Sequence, residues 1–283
     1  MRRKMEIVQT LLEALPYIKR FTGETIVIKY GGSAQESDEL KASFAQDIVM
    51  LHTVGMKPVV VHGGGKSITR MLQDLGIETS FIDGQRVTTR EVMRIAEMVL
   101  SGEINKEIVA LLNSQGAKAI GISGKDANFM EAVAKDVDNF GYTGSIKHID
   151  ADVLKNIIDD GFVPVIAPVA SGGTTGHPGF NINADLAASR IAVALNARKV
   201  LFLTDTPGVL DKDGRLISAM GLDAVEKRKG DGTIHGGMVP KVDACVEALR
   251  GGVKKAHIID GRVEHSLLLE ILTDSGIGSC IEL

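Results

Sequence analysis

Three charged residues in this chain stand where a lone charge is expensive. Lys29 closes the apolar run "TIVIKY" just before Gly31-Gly32, Asp185 opens the helical pattern "NINADLAASRIAVAL", and Lys241 follows the glycines of "GTIHGGMVPKVDACVEAL". A lysine at the end of a buried strand is costly unless an anion meets it. A lysine close to a helix N-terminus opposes the helix dipole, so an anionic ligand or a carboxylate has to compensate. Asp185 suits the dipole of its own helix, so a capping role and a functional one both fit. "VVVHGGGKS" places three glycines between a strand and a helix N-terminus, where bare backbone lets N–H groups approach an anion. A plain tight turn accounts for the same glycines, and His62 beside them is either a packed histidine or a catalyst. Arg86, in "DGQRVT", suits bidentate recognition of a carboxylate, although an arginine on a hairpin is commonly just solvated. The chemistry common to these sites is the handling of anions.

Other chemistries are disfavoured. There is no G-x-x-x-x-G-K-[ST], and no G-x-G-x-x-G lies between a strand and a helix, which counts against P-loop enzymes and ordinary dinucleotide-binding domains. Two cysteines, Cys245 and Cys280, cannot build a metal cluster or a disulfide framework. A net charge of −4 lacks the basic footprint of a nucleic-acid binder. No apolar stretch approaches the roughly 20 residues needed to cross a bilayer, and Glu6 and Glu13 interrupt any signal-peptide core. The expectation is a cytoplasmic protein with no membrane or nucleic-acid partner.

The elements that must position these residues alternate along the chain. "TIVIKY", "KPVVV", "AKAIGI", "FVPVIAPV", "KVLFL" and "KAHII" are continuous apolar runs, separated by helical patterns such as Leu40, Phe44, Ile48 and Leu51. Such alternation implies a mainly parallel sheet covered on both faces, an α/β architecture for which 283 residues suffice. "SFIDGQRVT" and "EAVAKD…GYTGSIKHI" read as appended hairpins. Residues 171–181, "SGGTTGHPGFN", are the best candidate for a flexible joint between two lobes. In open parallel sheets ligands gather beyond the carboxyl ends of the strands. The segments 29–32, 62–65, 123–126, 204–205 and 260–261 are therefore expected to converge there. At the N-terminus, Met5, Val8, Leu11, Leu12 and Leu15 recur at helical spacing, and Pro16 is expected to end or kink that helix. It docks either on its own domain or on another subunit.

Ordered along the chain from about residue 20 to the C-terminus, "IVIKYGGSA", "VVVHGGGK", "DGQRVT", "GEINKEIV", "GISGKDA", "PVIAPV", "FNINAD", "LFLTDTPGVL", "GGMVPKVDA" and "GIGS" resemble the amino acid kinase family. The combination of "RVT", "NINAD" and "GGM-x-x-K" resembles, within it, the acetylglutamate kinases, and "LLEALPYIKRF" with "EHSLLLEILTDSGIGS" resembles the N-terminal helix and C-terminal segment of their arginine-sensitive type. The resemblance implies an open αβα sandwich with an N-terminal oligomerisation helix at 1–20, an acetylglutamate-binding N-lobe at 21–178 and an ATP-binding C-lobe at 179–283. It implies transfer of a phosphoryl group from ATP to the side-chain carboxylate of N-acetyl-L-glutamate, with Mg²⁺ arriving on the nucleotide. By matching motif, Lys29 and Lys241 would neutralise the transferred group and Asp185 would orient them. Gly64, Gly65, Arg86 and Asn181 would hold the acceptor. Gly31, Gly32, Asp205, Gly208, Leu210, Thr233 and His235 would hold the nucleotide. It further implies a hexamer built as a trimer of dimers through the N-terminal helix, inhibited by L-arginine bound near His265, Glu270 and Gly278. Phe180, where many relatives have Tyr, and Ser279 after Gly278 depart from the family pattern. A non-catalytic relative would be expected to lack Lys29, Asp185 or Lys241, and all three are present.

Overall fold

The computed structural model describes residues 2–35 and 37–283; Met1, which begins the expected N-terminal segment, and Glu36 lie outside them. The chain opens with helix α1 (Arg2–Phe21), then β1 (Thr25–Tyr30), α2 (Asp38–Thr53), β2 (Lys57–His62) and α3 (Gly65–Asp74). The hairpin β3 (Phe81–Ile82) and β4 (Gln85–Arg86) precedes α4 (Arg90–Glu97), a π-helical turn (Met98–Ile104) and α5 (Asn105–Ser114). β5 (Ala119–Ser123), the hairpin β6 (Met130–Ala134) and β7 (Gly144–Ile149) with α6 (Val137–Phe140) between them, α7 (Ala151–Asp159) and β8 (Val163–Ala167) follow. A short pair, β9 (Val169–Ala170) and β10 (Phe180–Asn181), leads to α8 (Ala184–Ala194) and β11 (Lys199–Thr204). The chain ends through β12 (Ala219–Gly221), α9 (Leu222–Gly230), α10 (Met238–Arg250), β13 (Lys255–Asp260), α11 (Ser266–Ile271) and β14 (Ser279–Glu282).

Eight strands form one sheet in the order β12-β14-β13-β11-β1-β2-β8-β5. Its pairs are parallel except β13 with β14. The apolar runs are continuous because both faces are covered. Side chains alternate across β1: Ile26, Ile28 and Tyr30 enter a core with Phe44, Ile48, Leu112 and Leu267, while Val27 joins the opposite core with Ile191, Val242 and Cys245. The same period of two turns Lys29 to the face of Val27, the face covered by α8 and α10. The expected lobes share this sheet directly, since β1 pairs with β11 in register from Ile26 opposite Lys199. The architecture is the expected α/β sandwich around a mainly parallel sheet.

Four local features bear on the sequence expectations. Helix α1 continues past Pro16 to Phe21. A proline inside a helix removes one hydrogen bond, and here the turn beyond it is retained by tertiary contact: Phe21 is buried, with Lys199 Nζ 4.7 Å from its ring centre. Residues 171–181 make no extended joint. They close the antiparallel β9–β10 pair, in which Phe180 faces Ala170 and Asn181 faces Val169, and His177 Nδ1 accepts the Gly179 N–H at 3.0 Å. The segment 123–126 does follow the carboxyl end of β5, where Ser123 stands opposite Ala167, and its polar groups bond one another. Asp126 Oδ2 accepts from the Ser123 N–H at 2.6 Å, and Lys125 pairs with Glu97 at 2.7 Å. Segment 260–261 likewise ends β13 beside Thr204, with Asp260 accepting from Arg262.

Candidate active site

Where β1 ends, Lys29, Asp185 and Lys241 meet. Lys29 Nζ lies 3.2 Å from Asp185 Oδ1, and Lys241 Nζ lies 3.2 Å from Asp185 Oδ2. Each arrives by a different local rule. Strand alternation turns Lys29 toward α8, and the α8 N-cap, Asn183, accepts from the N–H groups of Asp185 and Leu186 and sets that first turn. Helix α10 is locked beside α8 through the Ser189 hydroxyl, which donates to the Ala244 carbonyl at 2.9 Å. Lys29 and Asp185 are only 8% and 7% exposed, so the three charges are held largely out of water. Burial pushes the Asp185 carboxyl up, but attraction from Lys29 and then Lys241 outweighs it and holds the group below its usual range. Lys241 donates a hydrogen bond to Oδ2, whereas Lys29 sits at ion-pair distance from Oδ1 without a hydrogen-bond alignment.

This bridge joins two cavities. One, of about 240 Å³, is lined by Lys29, Gly32, Gly63, Gly64, Gly65, Arg86, Asn181 and Asp185 among others. The other, of about 580 Å³, is lined by Asp205, Gly208, Leu210, Thr233, His235, Gly236, Gly237 and Lys241 among others. Two helices open onto them without a side-chain cap or an acid in the first turn: α3 behind Gly64 and α10 behind Gly237. Uncapped N-termini leave N–H groups for an anion. A larger cavity of about 690 Å³ lies on the other side of Gly64–Gly65, against Ile104, Ile108 and Leu111. Its charges are satisfied within it, Lys41 with Glu107 at 2.6 Å and Arg70 with Glu103 at 3.5 Å. Convergent cations, not size, mark the site.

On the acceptor side the hairpin arginine proves buried, with Arg86 at 6% exposure beside the Phe81 ring. Burial lowers its pKa, but it remains a cation. Its guanidinium donates to Thr79, Thr69 and the Gly65 carbonyl at 2.7–2.9 Å. One of these bonds holds the glycine turn directly, through the Gly65 carbonyl, and another holds Thr69 on the helix behind it. Asn181 donates to Thr88, which also contacts Thr143. Thr143 lines the same cavity and was not singled out by the sequence; its place in "GYTGS" on the β6–β7 hairpin was the available signal. Gly31, expected among the nucleotide residues, borders Lys29 instead: a Cβ there would lie 3.0 Å from Nζ. Gly32 lines the acceptor cavity and not the larger one beside Lys241.

Other reactive groups are quiet. Burial takes His62 down to about 4, so it is neutral at pH 7. Burial pushes the Cys245 thiol well up, which removes it as a nucleophile. Of the residues expected around an effector, Glu270 and Gly278 come together, the Gly278 N–H donating to Glu270 Oε2 at 3.0 Å. His265 does not share their partner: it bonds Asp47 on α2 at 2.7 Å, while Glu270 bonds His257 at 2.6 Å.

A sequence profile described as "Amino acid kinase family" matches residues 24–260. An acetylglutamate kinase from Sulfurovum sp. (strain NBC37-1) is 72% identical over 283 residues, covering all of both chains. Among solved structures, N-acetylglutamate synthase from Neisseria gonorrhoeae, complexed with coenzyme A and N-acetyl-glutamate, superposes with a TM-score of 0.86 at 27% identity, over 98% of this chain. The chain spans 63% of that synthase's length. The same synthase complexed with coenzyme A and L-arginine gives 0.82 at 26% identity, covering 97% of this chain and 65% of that one. With the profile covering most of its length and a relative this similar end to end, the chain belongs to the amino acid kinase family.

Proposed function

We propose that the protein transfers the γ-phosphoryl group of ATP to the side-chain carboxylate of N-acetyl-L-glutamate, yielding N-acetyl-L-glutamyl 5-phosphate and ADP in the second step of arginine biosynthesis. The observation that carries this reading is the Lys29–Asp185–Lys241 bridge between an acceptor cavity with Arg86 and Asn181 and a glycine-rich cavity at the α10 N-terminus. The 72% identical relative named acetylglutamate kinase supports the choice of acceptor. Arg86 would take the α-carboxylate and Asn181 the acetamido end. A carboxylate oxygen attacks the γ-phosphorus as its bond to the β-bridging oxygen breaks. The acceptor's pKa of about 4.3 means that it is already ionised at pH 7, so no general base is required. What remains is positioning and charge stabilisation, supplied by the two ammonium groups and by backbone N–H donors. These donors do not ligate cations and Asp185 is already paired, so Mg²⁺ enters with ATP, held by phosphate oxygens and water, where it neutralises phosphate charge.

Purified protein with MgATP is expected to release ADP when given N-acetyl-L-glutamate, and to yield a hydroxamate when hydroxylamine traps the acyl phosphate. Equal or faster turnover with aspartate, free glutamate or UMP would overturn the assignment.

We further propose that the protein is a cytoplasmic hexamer, a trimer of dimers joined through α1 and inhibited by L-arginine. The support is a helix whose Met5, Ile7, Val8, Leu11, Leu12 and Leu15 are all exposed, a larger apolar face than a solvated helix needs. Among the described residues no helix is long and apolar enough to cross a membrane. The turn after Pro16 is tied to the C-terminal segment by the Tyr17 hydroxyl bonding Asp274. Glu270, on α11, is buried and anchors the segment that follows it, bonding His257 and accepting from the Ile277 and Gly278 N–H groups. Deleting residues 1–20 is expected to reduce the assembly to dimers and abolish arginine inhibition; hexamers persisting in light scattering would contradict it.

A further inference from the structure

The "GEINKEIV" motif supplies no member of the Lys29–Asp185–Lys241 bridge, yet it packs directly on the glycine turn. A side chain at position 64 would collide with Ile104 and Leu100 of the π-helical turn. The wide turn is closed by the Asn105 N–H donating to the Leu100 carbonyl, five residues back. Asn105 is 1% exposed and its side chain bonds three groups. Its Oδ1 faces Lys106 Nζ at 2.9 Å, and its Nδ2 lies 2.9 Å from the Val165 carbonyl and 3.2 Å from His62 Nε2. Lys106 also donates to the Gly121 carbonyl at 2.8 Å.

The polarity of this chain is determined at both ends. An ammonium only donates and a carbonyl only accepts, so the amide oxygen must face Lys106 and the amide nitrogen must face Val165. Its second N–H then points to His62 Nε2, which must accept. The neutral ring therefore carries its proton on Nδ1, which lies 3.1 Å from the Gly63 carbonyl and donates to it. In a planar trans peptide the Gly63 carbonyl and the Gly64 N–H point opposite ways. Holding the carbonyl on the histidine side aims the N–H to the other side.

We propose that His62 and Asn105 are positioning residues: they fix the Gly63–Gly64 peptide so that the Gly64 N–H points at the transferred phosphoryl group, and the π-helical turn sets Asn105 in that register. The inference rests on the phosphoryl-transfer reading of the site and deepens it by naming what orients its backbone donor. His62 acts through the peptide and touches no substrate.

The test uses the full chain. Asparagine places its amide nitrogen where histidine has Nδ1, and glutamine places it nearer Nε2. His62→Asn is expected to keep kcat within about threefold of wild type, because a donor to the Gly63 carbonyl survives. His62→Gln is expected to lower kcat at least about tenfold, with KM for both substrates moving less than about threefold, because a small misplacement of a donor is costly in rate. Equal losses in both variants overturn the proposal. Nitrogen-15 NMR of the wild-type histidines, with His62 identified by the signals missing in His62→Asn, is expected to show Nδ1 protonated. A ring protonated on Nε2 overturns the proposal even if His62→Gln fails to fold. That spectrum does not depend on the acceptor, so a wild type inactive with N-acetyl-L-glutamate would count against the proposed function while the ring proton still decides the orientation chain.

Discussion

Replacing Lys241 by alanine is expected to lower kcat by on the order of 10²–10³-fold, and Lys29→Ala is expected to do the same, the loss typical of one preorganised donor to a charged transition state. KM for ATP and for N-acetyl-L-glutamate should move only a few fold, because the charge these lysines meet peaks during transfer rather than on binding. Lys29 lines the cavity proposed for the acceptor and Lys241 the one proposed for the nucleotide, so the two would meet the phosphoryl group from both sides. Arginine should not rescue position 29. The guanidinium is larger and planar, and the ammonium is already hemmed in, since even a Cβ on Gly31 would lie 3.0 Å from it. Steady-state measurement of ADP release decides the matter: a variant of either lysine with wild-type kcat removes that lysine from the transition state.

Asp185→Asn is expected to cost both rate and stability. With the carboxylate gone, a nearly buried ammonium and its neighbour face each other uncompensated. Breaking one side of a buried ion pair costs about 3–5 kcal/mol. The pH dependence has a definite sign. The Asp185 pKa is lower in the folded protein than in the unfolded chain, so its stabilisation is complete above the unfolded value of about 3.9 and is lost as pH falls through the folded one. The gap in melting temperature between wild type and variant should therefore be widest near neutral pH and close in strong acid. MgATP should restore more stability to the variant than to wild type, because the phosphates replace the missing negative charge. Equal melting at neutral pH would show that Asp185 does not hold the two lysines.

Much of the site was legible because local rules create it. A β-branched run ending in Lys29-Tyr30-Gly31-Gly32, an asparagine cap before Asp185 and glycines ahead of Lys241 are each readable within a few residues. Alternating apolar strands and helices implied a parallel sheet with its ligand edge at the strand ends. What proved illegible depended on contacts between distant segments. Pro16 is expected to end or kink its helix, and of the two it does not end it, since Phe21 docks beneath Lys199 beyond it. Residues 171–181 read as a joint from their glycines, but the pairing of Phe180 with Ala170 closes them into a hairpin. His265 and Glu270 are expected around one effector, whereas the structure gives them different partners, on α2 and β13.

By itself, then, the sequence determined that this protein is an α/β fold carrying cations and glycine turns at its strand ends, since periodicity and turn chemistry act over a few bonds. Only the tertiary structure decided which ends meet. The sheet order places β1 between β11 and β2, and α8 packs against α10, bringing Asp185 between two lysines that no local rule links. The same packing turned Arg86 from a solvated hairpin residue into a buried clamp on Gly65, and His62 from a lone histidine into one end of a hydrogen-bonded chain. Burial makes the difference: inside the fold each polar group must find a partner, and the available partner is fixed by the arrangement of distant elements.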